Sequence, residues 1–248
     1  MIYIHPQAEP FYIPGNSSKK AVLLIHGFTA SPSEMYPLAL AIREKMDCTV
    51  SGILLPGHGS HPGFLNRTTW QEWFKAVEGE LAYLLEHFEQ VYAVGLSMGG
   101  LLAMRAGICL PQLSGVVSIN APIINRFWVT NLAPVLQRIF LHFPKPKRQR
   151  PYLQGKNRFA YHVYPLKALS SMLELQQLVK KEIAKLTVPI LLIQSQQDES
   201  VHPRSLEWLS ERIKAPQHVM RLEKSGHIAT MGPEQELLAG RVVQFINS

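Results

Sequence analysis

Gly95-Leu-Ser-Met-Gly99 is the first place in the chain where residue type and spacing suggest chemistry. An apolar run ends there and an Ala/Leu/Met-rich helical run follows, so a sharp strand-to-helix turn should expose the serine hydroxyl. Glycines on both sides suit a turn that brings backbone segments too close for side chains. Ser97 is therefore the candidate nucleophile. A serine hydroxyl needs a general base, and the base needs an acid to orient it. The chain holds two aspartates. Asp47 lies upstream, at a helix end before a strand. Asp198 follows the run ILLIQ (190–194), at the carboxyl end of an expected strand, where open parallel sheets carry their sites. Taken alone, Asp198 also reads as a turn-forming or helix-capping residue, and Glu199 is its neighbouring alternative.

Of ten histidines, only His202, His218 and His227 follow Asp198. His202 abuts a proline in a turn and His218 opens a strand. His227 lies in the loop EKSGH (223–227), after a strand and before the last helix, at the same sheet edge as Ser97 and Asp198. A lone loop histidine is usually just solvated, so its candidacy as the base depends on the other two. Acyl transfer also requires donors for a developing oxyanion. The loop HGFT (26–29) leaves the first strong strand, and the natural donor pair is the backbone N–H of Phe28 with that of Met98. His26 is expected to hold this loop by hydrogen bonding and not to act as the base. His58 and His61, on the glycine loop PGHG (56–59) and just beyond it, could suggest a metal. Without clustered Cys, Asp or Glu they read as loop-shaping residues, and no metal is expected. No phosphate-binding glycine motif occurs, so no nucleotide cofactor is indicated. The match to S-x-x-K at 17–20 lies in a polar loop ahead of the first strong strand and is set aside.

These residues need a scaffold that brings distant loops to one edge. Strands are expected at 21–26, 50–55, 91–96, 116–120, 190–194 and 218–222, several apolar throughout, as parallel strands covered on both faces should be. Helices are expected near 34–45, 70–88, 98–109, 203–214 and 234–246. The segment from Trp70 has the clearest period, with Trp70, Trp73, Phe74, Val77, Leu81, Leu84, Leu85 and Phe88 on one face. SPSE (31–34) reads as a capping box with proline at the first helical position. Alternating strands and helices give a mostly parallel, doubly wound α/β sheet. The alternation breaks at 123–186, which shows helical patterns at 128–142 and 166–185 but no strand. Between them lies the proline-spaced basic run PKPKRQRP (144–151), which cannot be a helix interior. This stretch is expected to be a helical lid inserted into a core of 1–122 and 187–248.

Length and composition agree with one such domain. The chain has 248 residues, 46% hydrophobic and 17% charged, enough for a sizeable core. No run approaches the roughly 18 apolar residues of a membrane span. Two cysteines are too few for a disulfide scaffold, and the N-terminus has no signal-peptide pattern, so a cytoplasmic location is the expectation. The formal charge of +7 is uneven: no acidic residue lies between Glu89 and Glu174, a stretch with ten basic ones. A solvated basic face is the simplest reading, with contact to anionic lipid or an anionic substrate as the alternative. No nucleic-acid-binding motif accompanies the charge.

Together, HGFTASPSEM (26–35), LPGHG (55–59), TWQEW (69–73), GLSMGG (95–100), QQDESV (196–201) and SGH (225–227) resemble the α/β-hydrolase superfamily, in particular its small-lid bacterial carboxylesterases and monoacylglycerol lipases. The matching pieces span about 200 of the 248 residues. The resemblance implies an eight-stranded, mostly parallel sheet with a helical lid after the sixth strand. It also implies a cofactor-free serine esterase acting on small ester substrates, with Ser97, Asp198 and His227 as triad and Phe28 and Met98 as oxyanion donors. The lid matches no quotable pattern, so acyl preference is not carried over. A thioesterase, a peptidase, or a ligand-binding relative that keeps its triad with little turnover stays open. A dehalogenase would have aspartate at the position of Ser97.

Overall fold

A computed structural model of the chain describes residues 3–16, 19–145 and 157–248. In chain order its strands are β1 (Phe11–Ile13), β2 (Lys20–Ile25), β3 (Thr49–Ile53), β4 (Gln90–Leu96) and β5 (Gly115–Ile119). β6 (His142–Pro144), β7 (Val163–Pro165), β8 (Ile190–Ser195) and β9 (Gln217–Leu222) follow. The helices are α1 (Tyr36–Lys45), α2 (Pro62–Leu65), α3 (Trp70–His87) and α4 (Met98–Cys109). After them come α5 (Ala133–Leu136), α6 (Leu166–Glu182), α7 (Ser205–Ser210) and α8 (Gln235–Ile246).

Seven strands form one sheet in the order β1-β3-β2-β4-β5-β8-β9, parallel except for β1. Apolar runs buried on both faces build it. Along β2, Ala21, Leu23 and Ile25 pack on the face that carries α3, α4 and α6, while Val22 and Leu24 pack on the face that carries α1 and α8. β8 repeats the pattern, with Ile190 and Leu192 on one side and Leu191 and Ile193 on the other. Each such Val, Leu or Ile side chain, fully buried, contributes roughly 1.5–3 kcal/mol. The sheet has seven strands among the described residues, not the eight that the resemblance implied. Among the described residues ahead of β2 only three pair, because Pro6, Pro10 and Pro14 break up the N-terminal segment and cannot donate to a ladder.

The register matters for the site. Ile25 pairs with Gly95, Leu96 with Ile119, and Ile119 with Ile193. The carboxyl ends of β2, β4, β5 and β8 therefore lie level, and the loops that leave them share one edge.

Two local expectations are corrected. The stretch 123–186 is not free of strands: β6 and β7 form an antiparallel pair, each three residues long and each ending in proline. The helix expected at 128–142 is instead a short 3-10 turn, Trp128–Leu132, and the single turn of α5, with Pro134 in the first turn of α5, where a longer helix would have to run through it. Second, Ser31 makes no capping bond to the turn Pro32–Glu34. Its hydroxyl donates to the Phe159 carbonyl at 3.0 Å, and Glu34 turns inward. A capping box does form at Thr69 and Glu72, opening α3.

Between its two ends the inserted stretch is tied to the core. Within it α6 packs against α3 and α4. Segment 158–161 is stapled to core loops: Tyr161 N–H donates to Thr29 O, and the Tyr161 hydroxyl donates to Gly57 O. Most of the basic run, 146–151, lies outside the described residues, as do Ser17 and Ser18 of the S-x-x-K match. No described helix is long and apolar enough to cross a membrane.

Candidate active site

Ser97 joins β4 to α4 with φ 57° and ψ −119°, a left-handed backbone that is costly for a residue with a side chain. The surroundings enforce it. Ser97 N–H donates to Ile119 O on β5 at 2.8 Å, fixing the turn to the sheet. The turn is so tight that a Cβ on Gly95 would lie 2.0 Å from Gly99 O, and one on Gly99 would lie 2.1 Å from Ile25 O. Only glycine satisfies both positions, which is why the motif has them.

His227 Nε2 lies 2.9 Å from Ser97 Oγ, and its Nδ1 lies 2.8 Å from Asp198 Oδ2. A carboxylate only accepts, so Nδ1 carries the proton and Nε2 is left to accept from the serine hydroxyl. Asp198 is fully buried. Its second oxygen accepts from the N–H groups of Ser200 and Val201 at 2.7 and 2.8 Å. The turn-forming role and the role toward His227 thus coexist on two oxygens of one side chain. Burial pulls the His227 pKa down, but the Asp198 carboxylate, with Glu199 and Glu34, outweighs it, and the net shift is upward.

The other acids and histidines sit elsewhere. Asp47 pairs with Arg43 and accepts from Asn16 N–H. Glu199 touches His227 through its backbone N–H, at 3.0 Å, and not through the ring. His202 accepts from Arg204 N–H, and His218 meets Phe245 edge-on. His26 accepts from Leu55 N–H at Nε2 and meets Gly27 O at Nδ1, so it is a neutral tie between two loops, and burial lowers its pKa. His58 packs edge-on to it and His61 accepts from Gly63 N–H at the start of α2. Among the described residues no group of three metal-ligating side chains occurs.

Met98 begins α4, and Phe28 lies in the loop that leaves β2. Among the described residues neither N–H donates to another backbone carbonyl. Several residues that hold this arrangement were not singled out by sequence. Asn120, at φ 49°, accepts from Ser195 N–H and donates to His227 O at 2.8 Å, linking the ends of β5 and β8 to the histidine loop. Glu234 accepts from Glu223 N–H, Lys224 N–H and the Ser225 hydroxyl, bracing that loop from its other side. Buried Glu34 accepts from Gly27 N–H at 2.6 Å and pairs with Arg158, 124 residues on, at 3.0 Å. Asn120 and Glu234 carried no signal in one sequence; Glu34 did, but its carboxylate read as a cap.

Above Ser97 opens a cavity of about 180 Å³, where roughly 10–15 Å³ suffices for one water. Phe127, Ala133, Leu136, Leu169 and Met172 give it an apolar wall, and Glu34, Lys145, Arg158 and Glu199 are its charged members. The apolar residues of 127–143 divide between two settings. Phe127, Leu136 and Phe143 line the cavity, whereas Trp128 and Ile139 are 74% and 75% exposed.

The model of the Alpha/beta hydrolase family matches residues 22–239. A thermostable monoacylglycerol lipase of Bacillus sp. (strain H-257) is 29% identical over 245 residues, covering 96% of this chain and 94% of that protein. A carboxylesterase of Bacillus subtilis (strain 168) is 25% identical over 240 residues, covering 96% of each. Among solved structures, a metagenome-derived lipolytic enzyme superposes with a TM-score of 0.89 at 28% identity, covering 99% of both chains. The monoacylglycerol lipase of Paleococcus ferrophilus shares the fold, with a TM-score of 0.78 at 21% identity over 96% of this chain and 98% of that one. A strained serine between two obligatory glycines, on a sheet of this topology, and a family match over most of the length agree: the chain belongs to the alpha/beta hydrolase family.

Proposed function

We propose that the protein is a serine ester hydrolase acting on short- to medium-chain carboxylic esters or monoacylglycerols. The observation that carries this reading is the continuous chain Ser97–His227–Asp198, with links of 2.9 and 2.8 Å, beneath a largely apolar cavity. The two Bacillus relatives, a monoacylglycerol lipase and a carboxylesterase, support the same reaction class. Ser97 Oγ attacks the ester carbonyl carbon while His227 Nε2 takes the hydroxyl proton. Asp198 holds the imidazole and stabilises its cation. The carbonyl oxygen, now negative, accepts from the N–H groups of Phe28 and Met98. The C–O bond to the alcohol breaks and His227 returns the proton to the alcohol. Water then attacks the acyl-enzyme, giving its proton to His227, and the acid departs as Ser97 is restored. The apolar wall accepts the acyl chain. Core 1–122 and 187–248 supplies the triad, and 123–186 supplies most of the roof. Two cysteines, both free, agree with a reducing, cytoplasmic setting.

Initial rates on p-nitrophenyl esters of increasing acyl length test this. A Ser97-dependent rate with a chain-length optimum is the expected result. Folded protein that turns over none of them would point to a binding relative or to hydrolysis of another bond.

The exposed lid side chains support a contact with lipid surfaces. Trp128, Val135, Ile139 and Phe140 present apolar area to solvent beside the exposed Arg126 and Arg138, a combination suited to anionic interfaces. Ile139→Ser and Phe140→Ser should weaken sedimentation with anionic vesicles. Binding that ignores both the substitutions and anionic lipid content would remove this part of the proposal.

A further inference from the structure

Among the described residues, three of the four charged ones lining the cavity are matched. Glu34 is satisfied at one oxygen by Gly27 N–H and at the other by Arg158, which is its ion-pair partner. Glu199 accepts from His227 N–H. Lys145 is different. It is only 7% exposed, and among the described residues no carboxylate lies within ion-pair distance of it. Its ammonium donates to Thr29 Oγ1 at 2.6 Å and lies 5.2 Å from the centre of the Tyr164 ring. Thr29 Oγ1 spends its own proton on Phe28 O, so toward Lys145 it can only accept. Among the described residues one of its three ammonium protons is thus used, on Thr29, which adjoins the proposed oxyanion donor Phe28.

We propose that this end of the cavity is a subsite for an anionic group, carboxylate or phosphate, on the alcohol portion of the ester. The preferred substrates are then acyl esters of acidic alcohols. The inference rests on the ester-hydrolase reading and names its substrate class. Placement on the alcohol side is part of the proposal. With the carbonyl oxygen at Phe28 and Met98, the apolar Phe127, Leu136, Leu169 and Met172 suit the acyl chain. The polar group of Glu34, Arg158 and Lys145, tied to the loop Gly27–Thr29, is left for the alcohol. A buried ammonium with no carboxylate in ion-pair contact is costly, and an anionic oxygen supplies what Thr29 and Tyr164 do not. In keeping with this, burial and the nearby Arg158 lower the Lys145 pKa to about 7, against the opposing pull of Glu34.

The test compares kcat/KM for 1-octanoylglycerol, 1-octanoylglycerol 3-phosphate and O-octanoyl-lactate, with p-nitrophenyl octanoate as reference. At least one anionic ester should exceed 1-octanoylglycerol by about ten- to hundredfold, the range of one charge-assisted hydrogen bond. The arm that rises tells phosphate from carboxylate. Lys145→Met should bring the ratio to near one, and Lys145→Arg should retain most of it. Wild type that hydrolyses the reference through Ser97 but does not favour either anionic ester overturns the subsite and leaves the ester-hydrolase reading standing. A preference that survives Lys145→Met in folded protein overturns the role of Lys145. Calorimetric binding of octyl phosphate and of octanoate, each against 1-octanol, to Ser97→Ala reads the subsite without turnover. It decides the matter if no ester is hydrolysed or Lys145→Met does not fold. Tighter binding of either anion supports the subsite, and equal binding of all three overturns it.

Discussion

Replacing Gly99 with alanine perturbs the turn that holds Ser97 without touching any group proposed to react. The added Cβ would stand 2.1 Å from Ile25 O, 2.7 Å from Ile25 C and 2.8 Å from His26 O. Those are backbone atoms of β2 and of the loop after it, and no rotamer change can relieve them. The start of α4 must move away from β2 by more than an ångström to reach ordinary contact. Overpacking in a tight interior costs typically 1–3 kcal/mol, and backbone opposition puts this site at the upper end, about 3 kcal/mol. For a chain of this length that corresponds to a fall in Tm of roughly 6–12 °C. The same displacement carries Ser97 Oγ and Met98 N–H out of line with His227 and Phe28, and an ångström of misplacement can lower turnover about 10²-fold. Thermal unfolding by circular dichroism and kcat on p-nitrophenyl butyrate read the two effects separately. Gly79→Ala in α3 and Gly240→Ala in α8 are the controls. A Cβ at either meets nothing within 4 Å, so each should stabilise by about 0.4–1 kcal/mol without lowering the rate. A Gly99→Ala protein with unchanged Tm and unchanged turnover would refute the reasoning.

Catalysis as proposed needs neutral His227, whose pKa is raised, so the rate should fall as pH drops through a value above the ordinary 6.5 of imidazole. Glu199→Gln removes one of the charges that raise it and should move this acidic limb of the kcat/KM profile to lower pH; a limb that stays put would contradict the assignment. Asn120→Ala removes the amide that ties β5, β8 and the His227 carbonyl. It should lower kcat more than it changes KM, with a stability loss of about 1–3 kcal/mol from the buried groups left unpaired. Arg158→Met strands the buried Glu34 charge, and breaking such a pair from one side costs about 3–5 kcal/mol. Adding Glu34→Gln should recover part of that loss, and a strictly additive double variant would show that the pair is not coupled.

The parallel strands were legible because burial on both faces leaves an uninterrupted apolar run, as in VLLI (22–25) and ILLI (190–193). Ser97 was legible because its strained backbone demands glycine at fixed offsets. Asp198 and His227 could be placed because each follows a strand at the edge where Ser97 lies. What escaped reading is held by partners far away in sequence. Glu34 satisfied the local pattern of a helix cap, but its partners are Gly27 N–H and Arg158, 124 residues on. Lys145 read as the first cation of a solvated run, yet it is buried against Thr29, 116 residues upstream. The pair β6–β7 is three residues long, too short for any period to show. Local patterns thus revealed the elements and the strained turn at Ser97, while the polar supports of the candidate site depend on the tertiary fold.

The most direct measurement of the central claim is paired: turnover of p-nitrophenyl butyrate by wild type and Ser97→Ala, and mass spectrometry of each after treatment with a fluorophosphonate. The account predicts a single covalent adduct on Ser97 in wild type, none at that position in the variant, and turnover lower by several orders of magnitude, since triad members act as a unit. An adduct on another residue, or a Ser97→Ala protein with near-normal turnover, would contradict it.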